Sequence, residues 1–232
     1  MSRPFDDPPE RTSTNRTRSD LYEGFARMGK ALSAGRRLEI LDLLSQGPRS
    51  VGHLADELGQ SVANTSQHLQ VLADAGLVTC ARANHHMIYQ LRSPAVAELL
   101  VSLCDLAAET IGDVFRLTQA HVGSRQDIPS ITRRELMRRI RIGDVVVIDV
   151  RPEHDFAAGH IAGAISITQE KIEEFARSLD TRFEVIAYCR GEYCSLADAA
   201  IRTLQALGIR ARRLEGGYPQ WVTQGGNHQK IA

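Results

Sequence analysis

The 232-residue sequence carries 28 basic and 28 acidic side chains, so its formal net charge is zero at neutral pH. DNA-binding proteins usually have a basic surplus for phosphate contacts, so DNA binding here requires local basic patches. The hydrophobic fraction of 43% is enough for packed cores, while no apolar run is long enough to span a membrane. The polar N-terminus excludes a secretory signal, and we expect a cytoplasmic protein.

The apolar pattern divides the chain into two folded parts. Apolar residues recur at helical spacing over about 21–117, whereas strand-like runs alternate with helices over about 131–222. A polar segment with Gly and Pro separates them. The predicted organisation is a disordered arm at 1–19, a first domain at 20–119, a linker at 120–129, a second domain at 130–225 and a fraying tail at 226–232.

The first domain is predicted to be an α+β winged helix. Ser50 and Ser61 are placed as N-cap residues of two short helices that a turn at Gly59 joins, which is the helix-turn-helix pattern. Two alternating runs with a polar tip follow and predict a β-hairpin wing. The predicted helices are 21–32, 36–44, 51–58 and 62–75, and the wing strands are 77–82 and 87–91.

The helix after the turn carries short polar side chains on or near one face, while Val62, Leu69 and Val71 are expected to point inward. Asn and Gln pair with adenine edges, Thr contacts thymine methyl groups, and a wing reaches a minor groove or phosphates. The candidate DNA-contacting residues are Ser61, Asn64, Thr65, Gln67 and His68 on this helix, and Arg82, Asn84, His85 and His86 on the wing. A module that binds protein instead of DNA is the alternative.

The segments ALSAGRRLEIL at 31–41, LADELG at 54–59, the helix at 61–72 and LADAGLV at 72–78 resemble the ArsR family of bacterial repressors. The resemblance covers about 20–118. It implies a homodimer that reads a pseudo-palindromic operator in double-stranded DNA, with one recognition helix in each major groove. It also implies that 94–118 is the dimerising helix, whose wide apolar stripe would lie bare in a monomer.

Many members of this family sense metals, but the thiolate sets are missing here. His53 lies in the first helix of the motif without a cysteine, and Cys104 stands alone in the long helix. Soft-metal sites need two or three thiolates, so neither a metal nor a cofactor is predicted. Another branch senses sulfane sulfur with two cysteines; Cys104 matches one, but the other position falls near Asp42 or Leu43, so the pair is broken. Cys80 is predicted to be a packed hydrophobic residue.

The second domain is predicted to be α/β with a central parallel sheet, and its chemistry lies in a strand–loop–helix unit. A buried strand at 184–188 leads into CRGEYC, and a helix begins at Ser195. The backbone N–H groups of such a loop, together with the helix dipole, stabilise an anion. We therefore expect a lowered pKa for Cys189, with Arg190 adding positive charge and Gly191 permitting the tight path.

The segments IDVR at 148–151, GHIAGA at 159–164, YCRGEYCS at 188–195 and LEGGYPQW at 214–221 resemble a single rhodanese domain over about 128–225. The resemblance implies a sulfurtransferase loop with Cys189 as the persulfide carrier, His160 near the loop, and Gly216 and Gly217 in the facing turn. The implied site residues are Cys189, Arg190, Gly191, Glu192, Tyr193, Cys194 and Ser195, with Asp149 and Arg151 as framework.

Alternatives exist for this loop. Related phosphatases place Arg six residues after the Cys, where this chain has Ser195, and Glu192 would repel a phosphate dianion. An inactive module would lack Cys189. Cys194 could attack a persulfide on Cys189 and release sulfide as a disulfide forms, or it could be a small inward-pointing residue. Cys104 is the other possible redox partner.

The fusion of the two parts predicts a DNA-binding transcriptional repressor that responds to reactive sulfur through a persulfide on Cys189. Thiosulfate or a low-molecular-weight persulfide is the expected sulfur donor, and no membrane partner is expected. One rival is a sulfurtransferase whose N-terminal domain only dimerises or localises it. Another is a constitutive DNA binder with an idle sulfur domain.

Overall fold

The computed structural model describes residues 13–231, and all structural statements concern those residues. The N-terminal region consists of α1 (Ser13–Leu32), α2 (Gly35–Ser45), β1 (Arg49–Ser50), α3 (Val51–Leu58), α4 (Val62–Asp74), β2 (Val78–Ala83), β3 (His86–Leu91), α5 (Pro94–Thr110) and α6 (Gly112–Val122). β2 and β3 form an antiparallel hairpin, and β1 pairs with the other edge of β3. This arrangement is a winged helix, as predicted.

The helix-turn-helix is fixed by its local capping residues. Ser50 Oγ accepts a hydrogen bond from the amide of His53 at 3.2 Å, and Ser61 Oγ accepts one from the amide of Asn64 at 3.2 Å. Gly59 ends α3 in the left-handed conformation, with φ 60° and ψ 37°. These bonds satisfy amides that a helix N-terminus otherwise leaves open. The core beneath them includes the fully buried Ile40, Leu54, Leu69 and Leu72.

Two predictions about helix limits are corrected. α1 begins at Ser13, so 13–19 are helical rather than an arm, while 1–12 lie outside the described residues. The single helix predicted at 94–118 is two helices, because Ile111 is extended, with φ −106° and ψ 104°. Ile111 is β-branched and Gly112 follows it, and both residue types are weaker helix formers than the alanines before them.

The C-terminal region consists of β4 (Ser130–Ile131), α7 (Arg133–Ile142), β5 (Val145–Asp149), α8 (Glu153–Ala158), β6 (His160–Ile161), β7 (Ile165–Ser166), α9 (Ile172–Ser178), β8 (Glu184–Tyr188), α10 (Leu196–Ala206), β9 (Ala211–Leu214), α11 (Tyr218–Thr223) and β10 (His228–Gln229). Five strands form a parallel sheet in the order β4-β9-β8-β5-β7. The predicted α/β class of this region is confirmed.

The central strands of this sheet position the sulfur loop. β5 and β8 are neighbours, with Asp149 opposite Tyr188, so both strands end at the same edge. Ligand sites of parallel sheets lie outside such carboxyl ends. The tail does not fray as predicted, because β10 pairs with β6 and the Trp221 indole donates to the carbonyl of Asn227 at 2.8 Å. No helix in the described part of the chain has the length and apolar character of a membrane span.

Candidate functional site

Cys189 lies at the start of the loop that joins β8 to α10, and it is 2% exposed. The turn before α11 holds the loop from the opposite side: the amide of Tyr218 donates to the carbonyl of Cys189 at 3.1 Å. A Cβ at Gly217 would meet the Gly191 backbone at 2.7 Å, and the φ of Gly217 is 130°. Glycine is required there because the two backbones touch.

Cys189 and Cys194 form a hydrogen-bonded thiol pair. The pKa of Cys194 falls to about 6, chiefly because the Cys189 thiol donates to it, with the amides of Leu196 and Arg190 adding to the effect. The same bond, together with burial, raises the pKa of Cys189. The sequence-based expectation placed the lowered pKa on Cys189, and the structure places it on Cys194. Two adjacent thiols share one proton, and the more accessible sulfur holds the negative charge.

A buried framework supports the end of β5 beside this loop. Arg151 and Asp149 are fully buried and form an ion pair at 2.6 Å, and the Tyr188 hydroxyl donates to Asp149 at 2.5 Å. Arg151 also donates to the carbonyl of Gly159 at 2.6 Å, and its guanidinium lies 4.1 Å from the ring centre of Tyr218. Asp149 and Arg151 therefore shape the wall next to the loop. His160 stacks on Phe156 instead.

A glutamine of the winged helix connects this framework to the sulfur loop. Gln46, which follows α2, is 1% exposed. Its Oε1 accepts from Arg151 at 3.2 Å, and its Nε2 donates to the carbonyl of Arg190 at 3.1 Å. The residue immediately after Cys189 is thereby bonded to the other domain. Sequence analysis treated Gln46 only as part of a helix break, since no local pattern indicates a partner so distant in sequence.

A second set of contacts between the domains consists of charged groups. Arg49 and Asp155 form an ion pair whose side chains are 2% and 0% exposed. Arg190 donates to Asp155 at 2.8 Å and to Glu57 of α3 at 2.9 Å, and Arg49 also pairs with Glu57 at 3.0 Å. We call Gln46, Arg49, Glu57, Asp155 and Arg190 the interdomain network. It joins the sulfur loop to the first helix of the helix-turn-helix.

His53, Glu57 and His154 also meet at this interface, with one potential ligand atom from each lying within 4.8 Å of the others. Sequence analysis noted His53 alone. The two oxygens of Glu57 already accept from Arg190 and Arg49, and Arg49 lies 3.3 Å from His154 Nε2. Two guanidinium groups this close oppose a bound cation electrostatically. The cluster therefore functions as part of the ion-pair network in this structure.

A cavity of about 450 Å³ separates the sulfur loop from the winged helix. α2 and α5 form one wall, and the loop residues 190–195 form the other. Cys104 and Cys194 both line the cavity, so the structure brings these two predicted redox partners to one space, while Cys189 lies behind the loop surface. Tyr193 at the rim donates to Asp105 of α5 at 3.0 Å.

Glu192 faces two arginines that sequence analysis did not single out. Arg125, from the segment predicted as a linker, donates to Glu192 at 2.7 Å, to Asp198 at 2.7 Å and to the carbonyl of Cys194 at 3.1 Å. Arg213 donates to Glu192 at 2.9 Å. Ser195 immediately precedes α10 and makes no side-chain cap bond. The loop is therefore pinned by ion pairs on both sides.

The candidate DNA-contacting residues separate into exposed and buried positions. Gln67 and the wing residues are exposed, while Asn64 and His68 are half-buried and Asn64 donates to Gln60 at 2.6 Å. Thr65 is fully buried, so its assignment as a DNA contact is wrong. The exposed wing residues are Arg82, Asn84, His85 and His86, and Ser61 is exposed at the start of α4.

Three apolar predictions in the same region are corrected. Val62 and Val71 are 51% and 41% exposed instead of pointing inward. Cys80 is exposed on the wing instead of packed in a core. These residues lie at the end of α4 nearest the turn, on its outer side and on a two-faced hairpin, so helical or alternating spacing alone did not fix their orientation.

The thiol pair predicts a distinctive pH dependence. Iodoacetamide should alkylate Cys194 with a rate that rises through pH 6, because its thiolate forms above that pKa. Cys189→Ala should move the midpoint upward, since it removes the donated hydrogen bond. Cys104 is the internal control, because burial and the charges of Asp42 and Asp105 raise its pKa. A Cys194 midpoint unchanged in Cys189→Ala, followed by mass spectrometry, would refute the shared proton.

Comparison with known proteins agrees with both halves of the fold. The model of the bacterial regulatory protein arsR family matches residues 35–79, and the rhodanese-like domain model matches residues 132–224. The solution NMR structure of the homodimeric winged helix-turn-helix DNA-binding domain (fragment 1-100) of Mb0332 from Mycobacterium bovis is similar at 34% identity. It covers 47% of this chain and 95% of that one, with a TM-score of 0.40.

Two characterised relatives match different portions of the chain. Thiosulfate sulfurtransferase GlpE of Pseudomonas fluorescens is 33% identical over 89 residues, which are 38% of this chain and 81% of that protein. The HTH-type transcriptional regulator Rv0324 of Mycobacterium tuberculosis is 38% identical over 205 residues, which are 88% of this chain and 90% of that protein. The chain therefore belongs to the ArsR-type HTH transcriptional regulators and carries a rhodanese domain fused to the winged helix.

Proposed function

We propose that this regulator responds to reactive sulfur, with Cys189 carrying the persulfide that changes DNA affinity. One observation carries the proposal: winged-helix residues bond both the backbone and the side chain of Arg190, the residue after Cys189. Gln46 binds its carbonyl at 3.1 Å, and Glu57 binds its guanidinium at 2.9 Å. A displacement of the sulfur loop must therefore strain or break contacts with α3.

The thiol pair supplies the chemistry of loading. Cys189 passes its proton to the Cys194 thiolate, and the Cys189 thiolate attacks the outer sulfur of the donor. The donor's sulfur–sulfur bond breaks, its electron pair leaves with the remaining group, and Cys189 becomes a persulfide. Cys194 can then attack the inner sulfur of that persulfide, which forms the Cys189–Cys194 disulfide and releases hydrosulfide. Because Cys189 is 2% exposed, either product alters a packed site.

The proposed DNA-reading surface consists of α4 and the wing. Gln67 offers an amide that pairs with adenine in a major groove, and Arg82 on the wing offers a cation for phosphate. A homodimer would place two such surfaces on one duplex. Its proposed interface is the exposed apolar face of the first and last helices of the region, which includes Leu21, Tyr22, Phe25, Leu106, Phe115 and Leu117, each more than half exposed.

Two substitutions should separate base reading from phosphate contact. Gln67→Ala should weaken operator binding by about 1–3 kcal/mol and leave random-sequence binding nearly unchanged. Arg82→Ala should weaken both and reduce the slope of log affinity against log salt by about one. Fluorescence anisotropy over a salt series measures both. Gln70→Ala is the control, since Gln70 binds Asp74 on its own helix at 2.7 Å. Equal losses on both DNAs for Gln67→Ala would contradict its assignment.

The link through α3 can be tested with two charge-matched variants. Glu57→Gln weakens the ion pairs that hold Arg190 and Arg49, whereas Asp56→Asn removes the same charge from the exposed neighbour. We expect both variants to load sulfur, and we expect only Glu57→Gln to lose most of the change in operator affinity on loading. Mass spectrometry quantifies loading, and anisotropy gives the affinity. A full response in Glu57→Gln would remove this link.

A sulfurtransferase that uses the winged helix only for localisation is the second candidate. The similarity of the rhodanese domain to GlpE favours it. This function predicts multiple turnovers with a small acceptor such as cyanide and no effect of loading on DNA affinity. Turnover assays beside DNA titrations on the same preparation distinguish the two candidates.

A further inference from the structure

The cavity between the domains is acidic where it meets the sulfur loop. Glu39 and Asp42 of α2 line one wall, and Glu192 and Cys194 line the other. Cys194 holds the thiolate of the thiol pair. Its positively charged or basic lining residues are Arg190 and His121, and both remaining walls are largely apolar. An anionic ligand entering this space therefore meets negative charge from both domains.

The arginines around the loop already have carboxylate partners. Arg190 is bonded to Asp155 and Glu57, at 2.8 and 2.9 Å. Arg125 is bonded to Glu192 and Asp198, each at 2.7 Å. Arg213 likewise binds Glu192 at 2.9 Å. No lysine lines the described cavity. A dianionic donor would thus find no cation among the described lining residues that is not already paired.

The size and lining of the cavity suit an organic group. Its volume of about 450 Å³ falls in the range of small-molecule sites, and Leu38, Ala97, Leu100, Val101 and Pro219 supply apolar surface. The enclosure is sufficient that desolvation raises the pKa of Asp42 to about 6. A small organic residue can displace water here without bringing a second negative charge.

We propose that the interdomain cavity binds the organic part of a neutral or monoanionic alkyl persulfide, which is the sulfur donor, and that thiosulfate is a poor donor. This inference deepens the proposed function and rests on it for the role of Cys189. In the reaction, R–S–SH gives up its outer sulfur to the Cys189 thiolate. The R–S bond to that sulfur breaks, and R–S⁻ leaves and takes the proton held by Cys194. The number of electrons is unchanged, so no oxidant is needed.

The first test compares two donors on the full-length protein. Loading of Cys189 by cysteine persulfide and by thiosulfate is followed by intact-mass spectrometry, with GlpE of Pseudomonas fluorescens as the reference for intrinsic donor reactivity. The ratio of persulfide to thiosulfate rates should exceed the GlpE ratio by about 100-fold, because like charges oppose the dianion. Glu192→Gln should shift the ratio toward thiosulfate by about tenfold. A ratio equal to that of GlpE would overturn the inference.

The second test fills the cavity. Val101→Trp should slow loading by cysteine persulfide by about tenfold, because the organic group loses its place. Loading by inorganic hydrodisulfide, which has no organic group, should keep its rate and shows that the variant is folded and its loop competent. Equal slowing with both donors, or no slowing with either, contradicts binding in the cavity. DNA affinity is measured on the same samples: loading without a DNA response rejects the regulatory proposal and leaves the donor inference intact.

Discussion

Arg49→Ala should lower the free energy of unfolding by about 3 kcal/mol, because it leaves buried Asp155 with one cationic partner fewer. The Arg49 and Asp155 side chains are 2% and 0% exposed. Arg49 also donates to the carbonyl of Leu43 at 2.6 Å, which would lose a charged donor. Breaking a buried pair is far more destabilising than breaking a surface pair, since the remaining charge stays desolvated.

The matched control for this experiment is Arg36→Ala. Arg36 pairs with Glu39 at 2.6 Å, but both side chains are about half exposed, at 47% and 49%. Its loss should change the free energy by no more than about 0.5 kcal/mol. Urea unfolding followed by circular dichroism measures both variants. If the two variants were equally stable, the buried network would not hold the domains together as the contacts suggest.

Cys189→Ser should reduce sulfur loading by about 1000-fold or more, because a hydroxyl in that position does not form the required anion at neutral pH. Cys80→Ser is the control, since Cys80 is exposed on the wing and far from the loop in sequence. Mass spectrometry after incubation with a persulfide gives the loaded fraction, and a thermal melt shows that the serine variant is folded. Stoichiometric sulfur on Cys194 in Cys189→Ser would assign the carrier role to the other thiol.

Local sequence signals predicted the elements that carry the site. Ser50, Gly59 and Ser61 fix the helix-turn-helix through bonds to near neighbours, and the strand before Cys189 leads directly into the loop. Such features depend on a few consecutive residues, so they can be read without knowledge of the fold. The turn at Gly217 also followed from its motif, and the structure adds the reason, a 2.7 Å approach to the Gly191 backbone.

Contacts between distant segments could not be predicted in the same way. Gln46 and Arg190 lie 144 positions apart, and Arg49 and Asp155 lie 106 apart. Nothing in either local pattern indicates the partner, and the zero net charge of the chain conceals how many arginines are used in ion pairs. The shared proton of the thiol pair failed for a related reason. Loop and helix-dipole arguments favour an anion, but they do not say which of two neighbouring sulfurs holds it.

The DNA-contact prediction shows the limit of helical spacing. Thr65 was placed near the exposed face of α4 and is fully buried, whereas Val62 is half exposed. A few tens of degrees of helix rotation separate these outcomes, and packing of α4 against the rest of the winged helix sets that rotation. Gln67 and the wing residues remain accessible.

The most direct test is the operator affinity of one wild-type preparation before and after Cys189 is loaded. Loading is verified by mass spectrometry, and a reductant then removes the sulfur so that the same sample is measured a third time. We predict a change in Kd of at least about tenfold on loading, or 1.4 kcal/mol, that reverses on reduction. An unchanged Kd with Cys189 fully persulfidated would contradict the coupling of the rhodanese loop to the DNA reader.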